Sequence, residues 1–115
     1  MLIHFCKSKL AYGRITEAQL HYEGSITIDS GLLKAADIVP GEKVEVLNVN
    51  NGSRFETYAI AAKPGSGEIC LNGPAARLGL VGDQVIILTY CLLTPDEAKK
   101  IKTKVIHLND KNKIK

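Results

Sequence analysis

The chain has 115 residues, of which 45% are hydrophobic, and a formal net charge of +3. That length suits one domain with one modest core, and no apolar run approaches the ~20 residues that cross a membrane. With two Phe and no Trp, a platform for stacking bases is poorly supplied, so neither a membrane nor a nucleic acid is the expected partner.

The N-terminus, Met1-Leu2-Ile3-His4-Phe5, lacks the basic and long apolar regions of a signal peptide, and a cytoplasmic protein is expected. Residues 2–6 alternate weakly and read as a strand. Thr16 is placed to cap a single helical turn, Glu17 to Leu20, because its hydroxyl can accept from an early backbone N–H. Ile26-Thr27-Ile28-Asp29 has the β-branched alternation of a strand. Ser30 opens a short helix, Leu32 to Asp37, which Pro40-Gly41 ends with a turn.

Val44 to Val49 alternates with period two. Asn50-Asn51-Gly52-Ser53 tolerates positive φ and makes a turn, and Arg54 to Ile60 returns as the hairpin partner. Period two puts Arg54, Glu56 and Tyr58 on one face, and Phe55, Thr57 and Ala59 on the other. Pro64-Gly65-Ser66-Gly67 is a further turn. Glu68-Ile69-Cys70-Leu71 is a short strand, which Asn72-Gly73-Pro74 breaks. Pro74 suits the first position of a short helix, Ala75 to Leu78.

Gly79 and Gly82 bracket a loop before the strand Val85 to Tyr90. Thr94-Pro95-Asp96-Glu97 has the cap, the Pro and the Glu of a helix start. Val105 to Leu108 reads as a last strand before a polar tail. About six short strands with few helices predict a small, mainly β barrel, one domain over residues 1–115.

Seven of the 15 Lys and Arg are Lys99, Lys100, Lys102, Lys104, Lys111, Lys113 and Lys115. They are interleaved with Ile101, Ile106 and Ile114 and read as a solvated tail. Cys6, Cys70 and Cys91 form no C-x-x-C pair, and His4, His21 and His107 have no ligand spacing. Buried thiols and structural histidines are expected, and no metal.

His21-Tyr22-Glu23-Gly24-Ser25 resembles the self-processing site of the bacterial aspartate 1-decarboxylase family. Residues 50–60, Asn50-Asn51-Gly52-Ser53-Arg54-Phe55-Glu56-Thr57-Tyr58-Ala59-Ile60, look like that family's central hairpin. Glu68 to Arg77 is similar to its Asn-Gly-Ala-Ala-Ala segment, and Val81-Gly82-Asp83-Gln84-Val85-Ile86-Ile87 to its Val-Gly-Asp strand. The similarity runs in register from about Met1 to about Leu108.

The resemblance implies a double-psi β-barrel and a homotetramer with active sites between neighbouring subunits. It implies self-cleavage at Gly24-Ser25 into residues 1–24 (the β chain) and 25–115 (the α chain). Ser25 then becomes a pyruvoyl group, a covalent cofactor that needs no metal. It would hold L-aspartate as a Schiff base and accept the electrons left by departing CO2. β-Alanine, for pantothenate and coenzyme A, is the implied product. Whether an accessory maturation factor is needed stays open.

Residue roles follow by the same resemblance. Tyr58 is the proton donor, since a phenol carries its proton at neutral pH. Lys9 and Arg54 bind the substrate carboxylates, Arg54 through two parallel hydrogen bonds. Thr57 assists processing at the Gly24 carbonyl and borders the substrate. Asn72 orients the pyruvoyl carbonyl, the Gly73-Pro74-Ala75 backbone contacts substrate, and Tyr22 lines the site or supports processing. Gly24, without a side chain, leaves the attack unobstructed and can adopt strained backbone angles.

Two positions depart from the family pattern. Ala11 stands where many members have His, so no role of that His transfers. Pro74 stands where Ala is common, and without an N–H it leaves contacts to Gly73 and Ala75. The alternative is a barrel of the same shape that never cleaves and binds a partner through its basic tail.

Overall fold

The computed structural model describes all residues 1–115. In chain order they form β1 (Ile3–Arg14), β2 (Glu17–Gln19), β3 (Ser25–Asp29), α1 (Ser30–Ala35), β4 (Lys43–Asn48) and β5 (Arg54–Ala62). Then come β6 (Ile69–Asn72), a 3₁₀ helix (Gly73–Arg77), β7 (Gln84–Leu93), α2 (Pro95–Ala98) and β8 (Lys104–His107).

The strands lie in the order β2-β6-β3-β5-β4-β7-β1-β8. Ile15 N donates to Asp83 O at 2.9 Å, and Thr16 N donates to Ile69 O at 2.8 Å. The ribbon of β1 and β2 therefore leaves β7 and joins β6, which closes the sheet into a barrel. β3 runs parallel to β5 and β2 parallel to β6, while β4, the expected hairpin partner, runs antiparallel to β5. Inside sits a cluster of 17 buried residues, among them Leu10, Ile15, Ile26, Ile28, Val46, Ile69, Leu71, Val85 and Ile87. Each fully buried Leu, Ile or Val contributes about 2 kcal/mol. No helix is long and apolar enough to cross a membrane.

Several elements differ from their sequence pattern, each for a local reason. β1 is far longer than the strand expected over residues 2–6. Its register shifts between Cys6 and Ser8 and between Leu10 and Gly13, and such bulges interrupt period two. The turn of helix expected over Glu17 to Leu20 is instead β2. Thr16 caps nothing, because its hydroxyl donates to Ile69 O and accepts from Ile69 N, both at 3.0 Å. The helix after β3 starts at Ser30 and ends at Ala35, with Asp29 as its cap.

The turn of helix after β6 starts at Gly73, with Pro74 in its first turn as expected. α2 carries the full capping box on Thr94 and Glu97. The tail is only partly solvated. Its lysines are exposed, but Leu108 pairs with Ile114, and Asn112 is 1% exposed. The Asn112 side chain donates to Arg14 O at 2.9 Å and Gly67 O at 2.7 Å, and accepts from Arg14 N at 2.7 Å.

Candidate functional site

β3 and β6 pair with Ser25 opposite Asn72 and Thr27 opposite Cys70. Their alternate residues, Ile26, Ile28, Ile69 and Leu71, enter the core, so these four share the other face. On the far side of β3, Ile26 lies opposite Ala59 of parallel β5. One step back along both strands, Ser25 is level with Tyr58. Ser25, Tyr58 and Asn72, singled out from the sequence, thus lie on neighbouring strands at one end of the barrel wall, with Gly24 directly before Ser25 and Thr57 directly before Tyr58 on the other face of β5.

Ser25 is fully buried, Asn72 is 3% exposed and Tyr58 is 41% exposed. Asn72 Nδ2 donates to Ser25 Oγ at 2.9 Å and to Thr27 Oγ1 at 2.8 Å. Cys70 Sγ donates to Asn72 Oδ1 at 3.2 Å. Burial, with the carboxylates of Glu17 and Glu68 nearby, pushes the Cys70 thiol up to about 11, so it keeps its proton. Glu17, Glu68 and Cys70 present donor atoms within 4.8 Å of one another, a grouping that their spacing in the sequence does not suggest.

Backbone strain at this end of the barrel lies at Gly73. Gly24 is not among the positive-φ residues, while Gly73 has φ 64°. A Cβ on Gly73 would overlap the Tyr22 carbonyl oxygen and lie 2.9 Å from Gly24 N and 3.1 Å from Glu23 C. The chain must turn sharply from β6 into the 3₁₀ helix here, against the backbone of residues 22–24, and only glycine allows both. A Cβ on Gly24 would meet only Pro74 Cδ, at 3.6 Å. Tyr22 touches the site through its carbonyl, its side chain being exposed, and Ala75 is buried beside exposed Pro74.

The expected carboxylate-binding cations lie apart from Ser25 within one chain. Arg54 is four residues before Tyr58 on β5, about 13 Å along the strand. It lines a cleft of about 550 Å³ with His4, Lys43, Glu45, Tyr90 and Cys91. Glu45 Oε1 lies 3.6 Å from Arg54 Nη2 and accepts from the Tyr90 hydroxyl at 3.3 Å. Burial, then the Glu45 carboxylate, pushes the Tyr90 phenol up. Lys9 is opposite Leu88 of β7, itself opposite Glu45 of β4, and β5, β4 and β7 separate its strand from β3.

Sequence reasoning missed Thr27 and Cys70, which grip Asn72, and Glu45, which faces Arg54. Thr27 and Cys70 were legible, each two residues from a residue already singled out and so on its face.

Two designed proteins of known structure resemble this barrel. The computationally designed msDPBB_sym2 protein gives a TM-score of 0.53 at 21% identity, covering 70% of this chain and 98% of that one. The rationally designed mkDPBB_sym_86 protein gives 0.50 at 19% identity, over 67% and 90%. The fold is therefore a double-psi β-barrel, here carrying a buried serine and an asparagine side by side on its wall.

The family model described as "Aspartate decarboxylase" matches residues 1–115. The aspartate 1-decarboxylase of Caldicellulosiruptor saccharolyticus is 57% identical over 114 residues, covering 99% of this chain and 89% of that protein. That of Thermoanaerobacter pseudethanolicus is 55% identical over 107 residues, covering 93% and 92%. The chain belongs to the aspartate decarboxylase family.

Proposed function

We propose that this protein decarboxylates L-aspartate to β-alanine and CO2 for pantothenate synthesis in the cytoplasm, using a pyruvoyl group made in place from Ser25. The observation that carries this is Ser25, directly after Gly24, paired with Asn72 and one register step from the Ile26–Ala59 pair beside Tyr58, in a chain that matches its family end to end. The residues fit the group. A buried hydroxyl directly follows the peptide bond to be cut, and an amide N–H is aimed at it.

Processing begins when Ser25 Oγ adds to the Gly24 carbonyl carbon and the peptide nitrogen leaves, turning an amide into an ester. Removal of the Ser25 α-proton, with loss of the Gly24 carboxylate from Cβ, forms the Cα=Cβ bond of dehydroalanine at position 25. Water then hydrolyses it with release of ammonia. The first step is uphill and needs a held nucleophile and a stabilised oxyanion. Asn72 Nδ2 holds Oγ. Thr57 is assigned, by the family resemblance, the hydrogen bond to the Gly24 carbonyl oxygen.

The pyruvoyl group supplies a carbonyl that binds the substrate amine covalently and accepts an electron pair. Tyr58 delivers a proton to the substrate α-carbon from the strand beside position 25. Arg54 and Lys9 hold the carboxylates, Arg54 in a fork and Lys9 as a point charge. Their separation from Ser25 in one chain supports an assembly in which a neighbouring copy supplies them, as in the homotetramer that the family resemblance implies.

The test is the mass of the purified protein under denaturing conditions. Two species are expected, residues 1–24 and a 25–115 fragment lighter than its encoded sequence. Ser25→Ala should stay intact, and only the cleaved protein should release CO2 from aspartate. A chain that stays whole after prolonged warming and after addition of host extract would overturn the proposal.

A further inference from the structure

The Asn72 side chain has two ends of similar shape and opposite chemistry. One faces Ser25 Oγ at 2.9 Å and Thr27 Oγ1 at 2.8 Å, and the other faces Cys70 Sγ at 3.2 Å. A hydroxyl both donates and accepts, so Ser25 and Thr27 alone would take either end of the amide. A thiol that keeps its proton offers a donor and only a weak acceptor, and it takes the carbonyl end.

We propose that Cys70 is a positioning residue for backbone cleavage: its S–H donates to Asn72 Oδ1, which keeps the Nδ2 end on Ser25 Oγ. This rests on the self-processing reading given above. Strand register makes the arrangement possible. Cys70 and Asn72 share a face of β6, and their partners Thr27 and Ser25 share a face of β3.

Cys70 is 1% exposed, so water does not compete for the contact. Burial and the neighbouring Glu17 and Glu68 hold the thiol at about 11, well protonated at neutral pH. With Nδ2 donating, the Ser25 oxygen is pinned and its own proton points away from Asn72. In the flipped amide, Oδ1 would accept that proton, and the hydroxyl would turn toward Asn72.

The experiment follows the cleaved fraction of freshly made chain over time, by mass under denaturing conditions. It compares wild type with Cys70→Ser, Cys70→Ala and Cys70→Val. Cys70→Ser keeps a donor but, as a hydroxyl, also accepts and so admits either end of the amide; it should cleave more slowly than wild type and faster than Cys70→Ala. Cys70→Ala and Cys70→Val should be about tenfold slower, the loss of roughly one hydrogen bond. A packing role predicts a different order, with the apolar Val close to wild type and Ser no better than Ala. Either result overturns the proposal.

In an Asn72→Ala background, Cys70→Ala should change nothing, and further slowing there would also overturn it. Should Cys70→Val fail to fold, the contrast of Ser with Ala decides. Wild type that never cleaves defeats the self-processing reading itself. Wild type that cleaves alongside equally fast Cys70 variants defeats only the role of Cys70.

Discussion

Gly73→Ala probes how the turn after β6 seats the Gly24-Ser25 peptide bond. At φ 64° a residue with a Cβ loses about 1 kcal/mol. The new carbon would also overlap the Tyr22 carbonyl oxygen and lie 2.9 Å from Gly24 N, where ordinary contact starts at 3.4 Å. These are backbone atoms, so no side chain can rotate aside, and residues 22–24 must retreat by about half an ångström or more. Overpacking of this kind costs about 1–3 kcal/mol, for a total loss of about 2–4 kcal/mol.

Gly52→Ala is the control. Gly52 has φ 76° with nothing within 4 Å of its added Cβ, so it should lose only about 1 kcal/mol. Urea unfolding of both variants in a Ser25→Ala background, where no cleavage complicates the transition, measures the difference. With Ser25 present, Gly73→Ala should slow cleavage by about 10²-fold, as misplacement near an ångström does. Gly52→Ala should leave it unchanged. If the two variants unfold at the same urea concentration and cleave equally fast, Gly73 does not press on the 22–24 segment and the reasoning fails.

Tyr58→Phe should cleave normally but form β-alanine about 10²–10⁴-fold more slowly, the usual worth of a positioned acid. Undiminished turnover would remove Tyr58 from the proton transfer. Arg54→Ala should lower kcat/KM for aspartate by about 10²-fold, the worth of a charged hydrogen-bonded fork, with cleavage spared. Equal loss of both would mean a structural role.

Asp29 caps α1 and accepts from Gly31 N at 2.8 Å, Gly65 N at 3.1 Å and Gly67 N at 2.9 Å, so Asp29→Ala should lose about 3 kcal/mol in urea unfolding. Burial raises its carboxyl pKa, but those backbone donors win and hold it below 3.8. The unfolded chain therefore takes up this proton first, and stability should fall as pH drops below about 3.8 toward the lower folded value. Asp29→Asn should lack that part of the acid loss.

Legibility in the sequence followed periodicity and turn chemistry. The β4–β5 hairpin was plain, because Val44 to Val49, Asn51-Gly52 and Arg54 to Ile60 agree at every level. β1 was not, since its bulges break the alternation and Tyr12 takes φ 68°. Thr16 was misread because a hydroxyl at a strand end and one at a helix start look the same until Ile69 is found opposite it. The site divides the same way. The motifs named Ser25, Tyr58 and Asn72, yet their meeting depends on β3 pairing with both β5 and β6, which no local pattern encodes. The contact of Cys70 with Asn72, by contrast, lies within one strand and two residues apart, and was open to period-two reading.

The placement of β1 has a consequence for the molecule after cleavage. β1 lies between β7 and β8, and β2 lies on β6, all three partners coming from beyond residue 25. Leu10 and Ile15 are in the common core. A cut after Gly24 thus turns one polypeptide into two that behave as receptor and captured peptide. Melting would then become a dissociation, and its midpoint would climb with protein concentration. The short piece could in principle be supplied in trans, as a 24-residue synthetic strand that completes the barrel from outside.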